Sequence, residues 1–346
     1  MSLPSYPPKP RPGDRVAVVS PSAGLPGLFP HVYELGLRRL REEFGLEPVE
    51  YPTTRRMGAD PRDRARDLTA AFADPTITAV LATVGGDDLI TVTPHLEDEV
   101  LRANPKPYFG YSDNTNLLHH LFRLGMVAYH GGSVLVHLGR PGALHPLTAD
   151  SLRAALFDSG WYDLAPAPQW GDEPNDWHDS ASLATEPRMF PGTGWHWQGP
   201  SRVIEGPAWG GNLEVLHWLL AAGRVGGASD YAGCVLLLET SEELPSDVEV
   251  FRMLRNMGER GLLAGFPAVL VGRAKAWNFD QPLSADRKRA YVEAQRSAIL
   301  RAVTAYAPEA VLVFDVDFGH TDPQLIIPYG GTVRVDAVER RISVRY

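Results

Sequence analysis

The chain has 346 residues, 44% of them apolar, and 42 acidic against 33 basic side chains give a net charge of −9. That is enough for one large domain or two moderate ones, and an acidic excess with no basic run argues against a nucleic-acid partner. No stretch approaches the roughly 18 apolar residues of a membrane span, the start lacks the charged-then-apolar pattern of a signal peptide, and the lone Cys234 excludes a disulfide framework. A cytoplasmic protein that does not engage a membrane is expected. With no Cys/His cluster and no His-Glu-x-x-His run, neither a metal nor a cofactor is expected.

In chain order, a proline-rich lead-in at 4–12 precedes a short apolar strand at 15–20, which ends in Pro21, Ser22, Ala23 and Gly24. The spacing of Leu35, Leu37, Leu40 and Phe44 predicts an amphipathic helix over 33–44. A strand at 47–51, a charged helix at 61–72 and an apolar strand at 76–84 follow, the last stopped by Gly85, Gly86, Asp87 and Asp88. A helix is expected over 93–103. Tyr108 and Phe109 then end a short strand, and Leu117, Leu118, Leu121 and Phe122 fall at helical spacing from Asn116 onward. Strands alternating with helices predict an α/β fold with a parallel sheet, whose ligands lie beyond the carboxyl ends of the strands.

Ser112 falls in the tight turn between that strand and helix, where a hydroxyl meets backbone N–H groups and the positive end of a helix dipole. Gly110-x-Ser112-x-Asn114 is a relative of the Gly-x-Ser-x-Gly nucleophile elbow, with Asn114 in place of the second glycine. Two readings stand open here. Ser112 is a nucleophile, or Ser112, Asp113, Asn114 and Thr115 are helix-capping residues.

Between 166 and 200 the composition shifts. Trp170, Trp177, Trp195 and Trp197 occur among Pro, Gly, Asp and Asn with no period, which fits either an interdomain linker anchored by aromatics or a lid that stacks a ring on a substrate. The second half opens with Gly210, Gly211 and Asn212 feeding a helix on Leu213, Leu216, Leu219 and Leu220. A strand at 234–238 ends at Glu239. Ser246 and Glu249 are spaced as a capping box for a helix reaching about residue 260. Strands at 268–271 and 310–315 flank a helix at 291–304, and His320 lies just beyond the last strand.

Ser112, Glu239 and His320 thus share a position, each just past an apolar strand. A serine nucleophile needs a base, and the base needs an acid to fix its tautomer. Glu205 and Glu214 are rival acids, although Glu214, one position off the leucine stripe, reads as a solvated or boundary helix residue. Backbone N–H groups of Gly86 and Asp113 are the candidates for an oxyanion hole.

Residues 13–22, Gly85 with Gly86, residues 110–113, residues 210–213, Leu238 with Glu239, and Gly319, His320, Thr321 and Pro323 with Pro328 occur in that order. The ordered set resembles the LD-carboxypeptidase family of serine peptidases over nearly the whole chain. The resemblance implies an N-terminal flavodoxin-like parallel-sheet domain, a C-terminal swivelling-type α/β domain, and a Ser112–His320–Glu239 triad across their cleft. Their expected limits are 1–165 and 201–346, with 166–200 as the linker or lid. A homodimer is implied by the family alone. One branch of the family trims the terminal D-alanine of murein tetrapeptides in peptidoglycan recycling. The other, the MccF-type branch, cleaves the bond between a C-terminal acidic residue and the nucleotide of microcin C and similar aminoacyl adenylate analogues. The length, the tryptophan-bearing segment and the run at 239–243 are more similar to the second branch, and Trp177 matches its adenine-stacking tryptophan. Gly85 and Asp88 would join Trp177 in holding substrate; Asp88 stands where that branch usually has an amide, and His130, Gly131 and Gly132 replace a family Tyr-Gly-Pro. A catalytically silent small-molecule binding protein on this fold is the alternative, disfavoured because all three triad positions carry the needed residue types.

Overall fold

The computed structural model describes residues 3–173 and 175–346; residues 1 and 2, and residue 174 inside the tryptophan-bearing segment, lie outside the described residues. In the first half the apolar runs form β1 (Arg15–Val19), β2 (Glu47–Glu50), β3 (Ile77–Ala82), β4 (Tyr108–Gly110) and β5 (Ala128–His130). They pair in parallel in the order β2-β1-β3-β4-β5, which is the flavodoxin-like order, with its switch point between β1 and β3. The expected N-terminal architecture is therefore observed. Strands β1 and β3 are apolar on both faces because helices cover both. Those helices are α1 (Pro30–Glu42), α2 (Pro61–Ala73), α3 (Asp98–Ala103), α4 (Thr115–Arg123) and α5 (Pro146–Phe157). The single helix expected over 93–103 is broken: short turns at Leu89–Thr91 and Thr93–His95 precede α3. Pro94 lacks the N–H that a helix interior needs and is accommodated only in a first turn.

The remaining strands are β6 (Trp161–Leu164), β7 (Gln169–Trp170), β8 (Phe190–Pro191), β9 (His196–Gln198), β10 (Val203–Asn212), β11 (Val235–Glu239), β12 (Ala268–Gly272), β13 (Val311–Val316), β14 (Ile327–Tyr329), β15 (Thr332–Asp336) and β16 (Arg341–Arg345). Strands β10 to β13 are parallel neighbours, crossed by α6 (Leu213–Ala221), α7 (Asp247–Glu259) and α8 (Ala285–Tyr306). The capping box is present: Ser246 Oγ accepts from the Glu249 N–H and Glu249 Oε2 from the Ser246 N–H, starting α7. Strand β14 runs parallel to β10 and antiparallel to β5, so both halves share one 14-stranded sheet. The two hydrophobic layers on its faces each draw residues from both halves: Val19 with Leu238 on one, Val18 with Leu237 on the other.

Two features depart from the expected division of the chain. Strand β6, expected in the N-terminal domain, pairs with β16 in an antiparallel ribbon on the C-terminal half. The tryptophan-bearing segment is only partly a free loop: β7 and β8 form a small hairpin, and β9 completes the edge of the main sheet against β13. Three of its tryptophans anchor it. The Arg273 guanidinium lies 4.8 Å from the Trp170 ring centre, Trp195 Nε1 donates to Asp317 Oδ2 at 3.0 Å, and Trp197 is a residue of β9.

Candidate active site

The turn after β4 carries a strained serine. Ser112 has a φ of 61°, a left-handed backbone that costs a non-glycine residue about 1–2 kcal/mol. The neighbouring side chains hold it there. Tyr108 donates its hydroxyl to Asn114 Oδ1 at 2.6 Å, and Asn114 Nδ2 donates to the carbonyls of Val84 and Tyr111 at 3.1 and 2.9 Å. Asn114, standing where the elbow motif has a glycine, thereby ties the turn to the end of β3. It occupies the N-cap position of α4 but makes no capping bond with its side chain. The buried Asp113 carboxylate likewise reaches sideways, accepting from Ser22 Oγ, the Leu89 N–H and Asn116 Nδ2. These residue types suit caps, but the bonds of Asp113 and Asn114 fasten the loops after β1 and β3 to the serine turn.

Those loops pack closely. A Cβ at residue 85 would lie 2.9 Å from Ser112 Oγ, and one at residue 86 would lie 2.1 Å from Ser22 Oγ. Only glycine lets this backbone approach the serine. Asp88 is not part of the cavity wall as expected. Its carboxylate is engaged by Arg64 through both oxygens at 2.7 Å, and Arg64 also donates to the carbonyls of Pro21 and Ser22. A two-pronged guanidinium–carboxylate pair fixes a loop well, so Asp88 braces the site and the adjacent Asp87 lines it.

His320 sits on a firmly held loop after β13. Gln324 Nε2 donates to the carbonyls of Phe318 and Gly319, His130 Nε2 to that of Phe318, and the Asp317 carboxylate is bound by Arg273 and Trp195. Its Nδ1 meets Oε2 of Glu239, the last residue of β11, at 2.5 Å. Glu205 is exposed on β10. Glu214, expected as a solvated or boundary residue, is only 8% exposed; Ser241 covers that flank, donating its N–H and hydroxyl to Glu214 Oε1 at 2.9 and 2.7 Å. Neither rival takes the histidine.

Burial by itself would lower the His320 pKa, but the Glu239 and Glu242 carboxylates outweigh it and hold it above its ordinary value. Behind it, burial pushes His137 down to about 3 and also lowers His130, so these neighbours stay neutral. His320 Nε2, the nitrogen that would serve a serine, lies 3.7 Å from Glu242 Oε2. No hydrogen bond joins it to Ser112 among the described residues, although the two line one cavity. A base must be neutral to accept a proton, so kcat/KM should rise with pH through this elevated His320 pKa. Glu242→Gln should move that rise to lower pH in a pH–rate profile; an unmoved midpoint would remove Glu242 from the electrostatics of the site.

The cavity, of about 750 Å³, has walls from both halves, within the range of small-molecule sites. Gly85, Gly86, Ser112 and His320 line it, as does Trp177, the one tryptophan of its segment that reaches it. The Trp177 ring is braced edge-on by Phe29, with centroids 5.4 Å apart. Opposite chain segments add residues that pattern reading did not single out: Tyr111, Glu242, Lys275 and the edge-to-face pair Trp277 and Phe279. Glu242 belonged to the run at 239–243, but Lys275, Trp277 and Phe279 lie in an aperiodic loop with no motif to flag them.

A strained serine thus lines one cavity with a histidine whose other ring nitrogen meets a buried carboxylate, and the cavity is walled by two α/β halves. Residues 16–131 match the LD-carboxypeptidase N-terminal domain and residues 205–335 the LD-carboxypeptidase C-terminal domain. The chain belongs to the LD-carboxypeptidase family and is a serine peptidase. It is 25% identical over 287 residues to the microcin C7 self-immunity protein MccF of Escherichia coli, covering 82% of this chain and 78% of that one. It is 30% identical over 238 residues to the murein tetrapeptide carboxypeptidase of Pseudomonas aeruginosa, covering 65% and 66%. The fold superposes with a TM-score of 0.84, at 26% identity and over 96% and 99% of the two chains, on an MccF-like protein from Streptococcus pneumoniae solved in complex with AMP. No helix among the described residues is long and apolar enough to cross a membrane.

Proposed function

We propose that the chain hydrolyses the amide bond joining an aminoacyl or peptidyl group to a nucleotide, through a Ser112–His320–Glu239 triad. The observation that carries this reading is that the strained Ser112 lines one cavity with His320, whose Nδ1 meets the buried Glu239 behind it. In the reaction, Ser112 Oγ attacks the acyl carbon while His320 Nε2 takes its proton. Glu239 keeps the other ring nitrogen protonated and stabilises the imidazolium. The oxyanion is met by the N–H groups of Gly86 and Asp113. His320 then protonates the leaving nitrogen, the C–N bond breaks, and water activated by the same histidine releases the acyl group from Ser112. The hydrogen bond between Ser112 and His320 that this scheme requires is of the kind that tightens around substrate.

The nucleotide assignment is supported by the AMP held by the structurally similar S. pneumoniae protein and by Trp177 on the cavity wall. Base stacking on an aromatic ring is worth about 1–3 kcal/mol. Trp177→Ala should therefore raise KM for an acyl-adenylate analogue roughly 5- to 150-fold and leave a murein tetrapeptide, which has no base, nearly unaffected. Equal losses on both would reduce Trp177 to a support for its loop. The second reading, release of D-alanine from a murein peptide, is favoured by the identity to the P. aeruginosa carboxypeptidase. Incubation with both substrate types, with products read by mass spectrometry, decides between them, and turnover of neither would favour a binding protein.

A further inference from the structure

The resemblance in sequence implies an acidic residue on the acyl side of the scissile bond, but the cavity carries the wrong charge for one. Among the described residues, Asp87, Asp176, Glu214, Glu242 and Glu243 line it against one lysine, Lys275, no arginine, and His320, whose Nδ1 is already paired with Glu239. An anionic acyl side chain would meet like charge on several sides, which disfavours binding as strongly as opposite charge favours it.

Glu214 adds a more specific signal. It is more than nine-tenths buried and lines the cavity. Ser241 fixes Oε1 with two donors, while Oε2 is buried without a hydrogen-bond partner. A buried carboxylate oxygen left unpaired is costly, and a cationic donor is the partner that relieves it best. Glu242, across the Ser241 turn from it, presents a second carboxylate near His320.

We propose that this wall recognises an ammonium group on the acyl side of the substrate, so that the protein prefers a cationic acyl group to an acidic one. The inference rests on the hydrolase reading above and names its substrate class. The ammonium has two possible sources, the free α-amine of an aminoacyl group or the side chain of a lysine-type residue, and the test separates them.

Four acyl sulfamoyl adenosines serve as probes: alanyl (α-ammonium only), Nα-acetyl-lysyl (side-chain ammonium only), N-acetylalanyl (uncharged) and N-acetylglutamyl (anionic). Their kcat/KM values are measured with the wild type, and their binding to the Ser112→Ala variant by calorimetry, so that the preference is read with or without turnover. At least one ammonium-bearing probe should exceed both N-acetylalanyl and N-acetylglutamyl by roughly 10- to 100-fold, the worth of a charged hydrogen bond. Whichever of the two ammonium probes leads identifies the source. In Glu214→Gln, or in the exposed-wall variant Glu243→Gln if the first does not fold, that ratio should fall. N-acetylglutamyl equal to or better than both ammonium probes, or a ratio unchanged in the Glu214→Gln variant, overturns the inference. Turnover with no charge preference sinks this inference alone, whereas the preference in binding without any turnover sinks only the hydrolase reading.

Discussion

Ser112→Ala is expected to lower kcat by about 10⁴- to 10⁶-fold, as loss of the nucleophile does in other triads. The side chains around the serine hydroxyl are engaged elsewhere: Asn114 and Asp113 are committed to Val84, Tyr111, Ser22, Leu89 and Asn116, and Ser241, a second serine on the cavity wall, donates its hydroxyl to Glu214. Because those bonds hold the turn, alanine should adopt the same left-handed backbone and the variant should melt within a few degrees of the wild type. A small stability change of about 0.5 kcal/mol is typical when no buried partner is lost. Turnover and a thermal melt measured together distinguish chemistry from folding. If more than a few per cent of activity survives in a folded variant, another group is the nucleophile.

The second large effect is expected at Glu239. Its side chain is fully buried and its Oε2 meets His320 Nδ1. Glu239→Gln keeps the shape but removes the charge, and its amide can donate to Nδ1 and so turn the ring to the tautomer whose Nε2 carries the proton. That nitrogen could then no longer accept from Ser112. A loss of about 10⁴-fold in kcat accompanies the equivalent change in a well-studied triad, and a loss on the order of 10³ to 10⁴ is expected here, in kcat more than in KM. Removing the largest carboxylate influence on His320 should also drop its pKa, so residual activity should extend to lower pH. The comparison variant is Glu205→Gln, exposed on β10, for which kinetics should be unchanged within about twofold. A Glu214→Gln variant that loses kcat as severely as Glu239→Gln would move the acid's role to Glu214.

Much of this is legible in the sequence. Hydrophobic period and punctuation located β1, β3 and α4, because each buries a continuous or 3.6-spaced apolar face and the backbone has few other ways to do so. The Ser246 and Glu249 spacing predicted its capping box by the same local logic. Strand ends marked Ser112, Glu239 and His320 as side chains at the mouth of a parallel sheet. What pattern reading missed has a common cause, which is that the deciding partners are distant in sequence. Pro94 breaks a helix locally, but β6 joins the C-terminal ribbon only because β16, about 180 residues away, offers it an edge. Asp88 carries the same charge whether it faces substrate or Arg64, and only packing placed it against the guanidinium. Glu214 reads as a solvated or boundary residue on its own helix, and only the fold closes Ser241 over it. The four tryptophans are alike in composition, yet three are drawn to the C-terminal half by Arg273, Asp317 and the β13 edge, and one is left on the cavity wall. Local sequence determined which segments form strands, helices and turns, and so which reactive side chains stand at strand ends. Long-range packing alone decided which of those side chains meet, because the free energy of an ion pair or a buried carboxylate is set by its surroundings rather than by its neighbours along the chain.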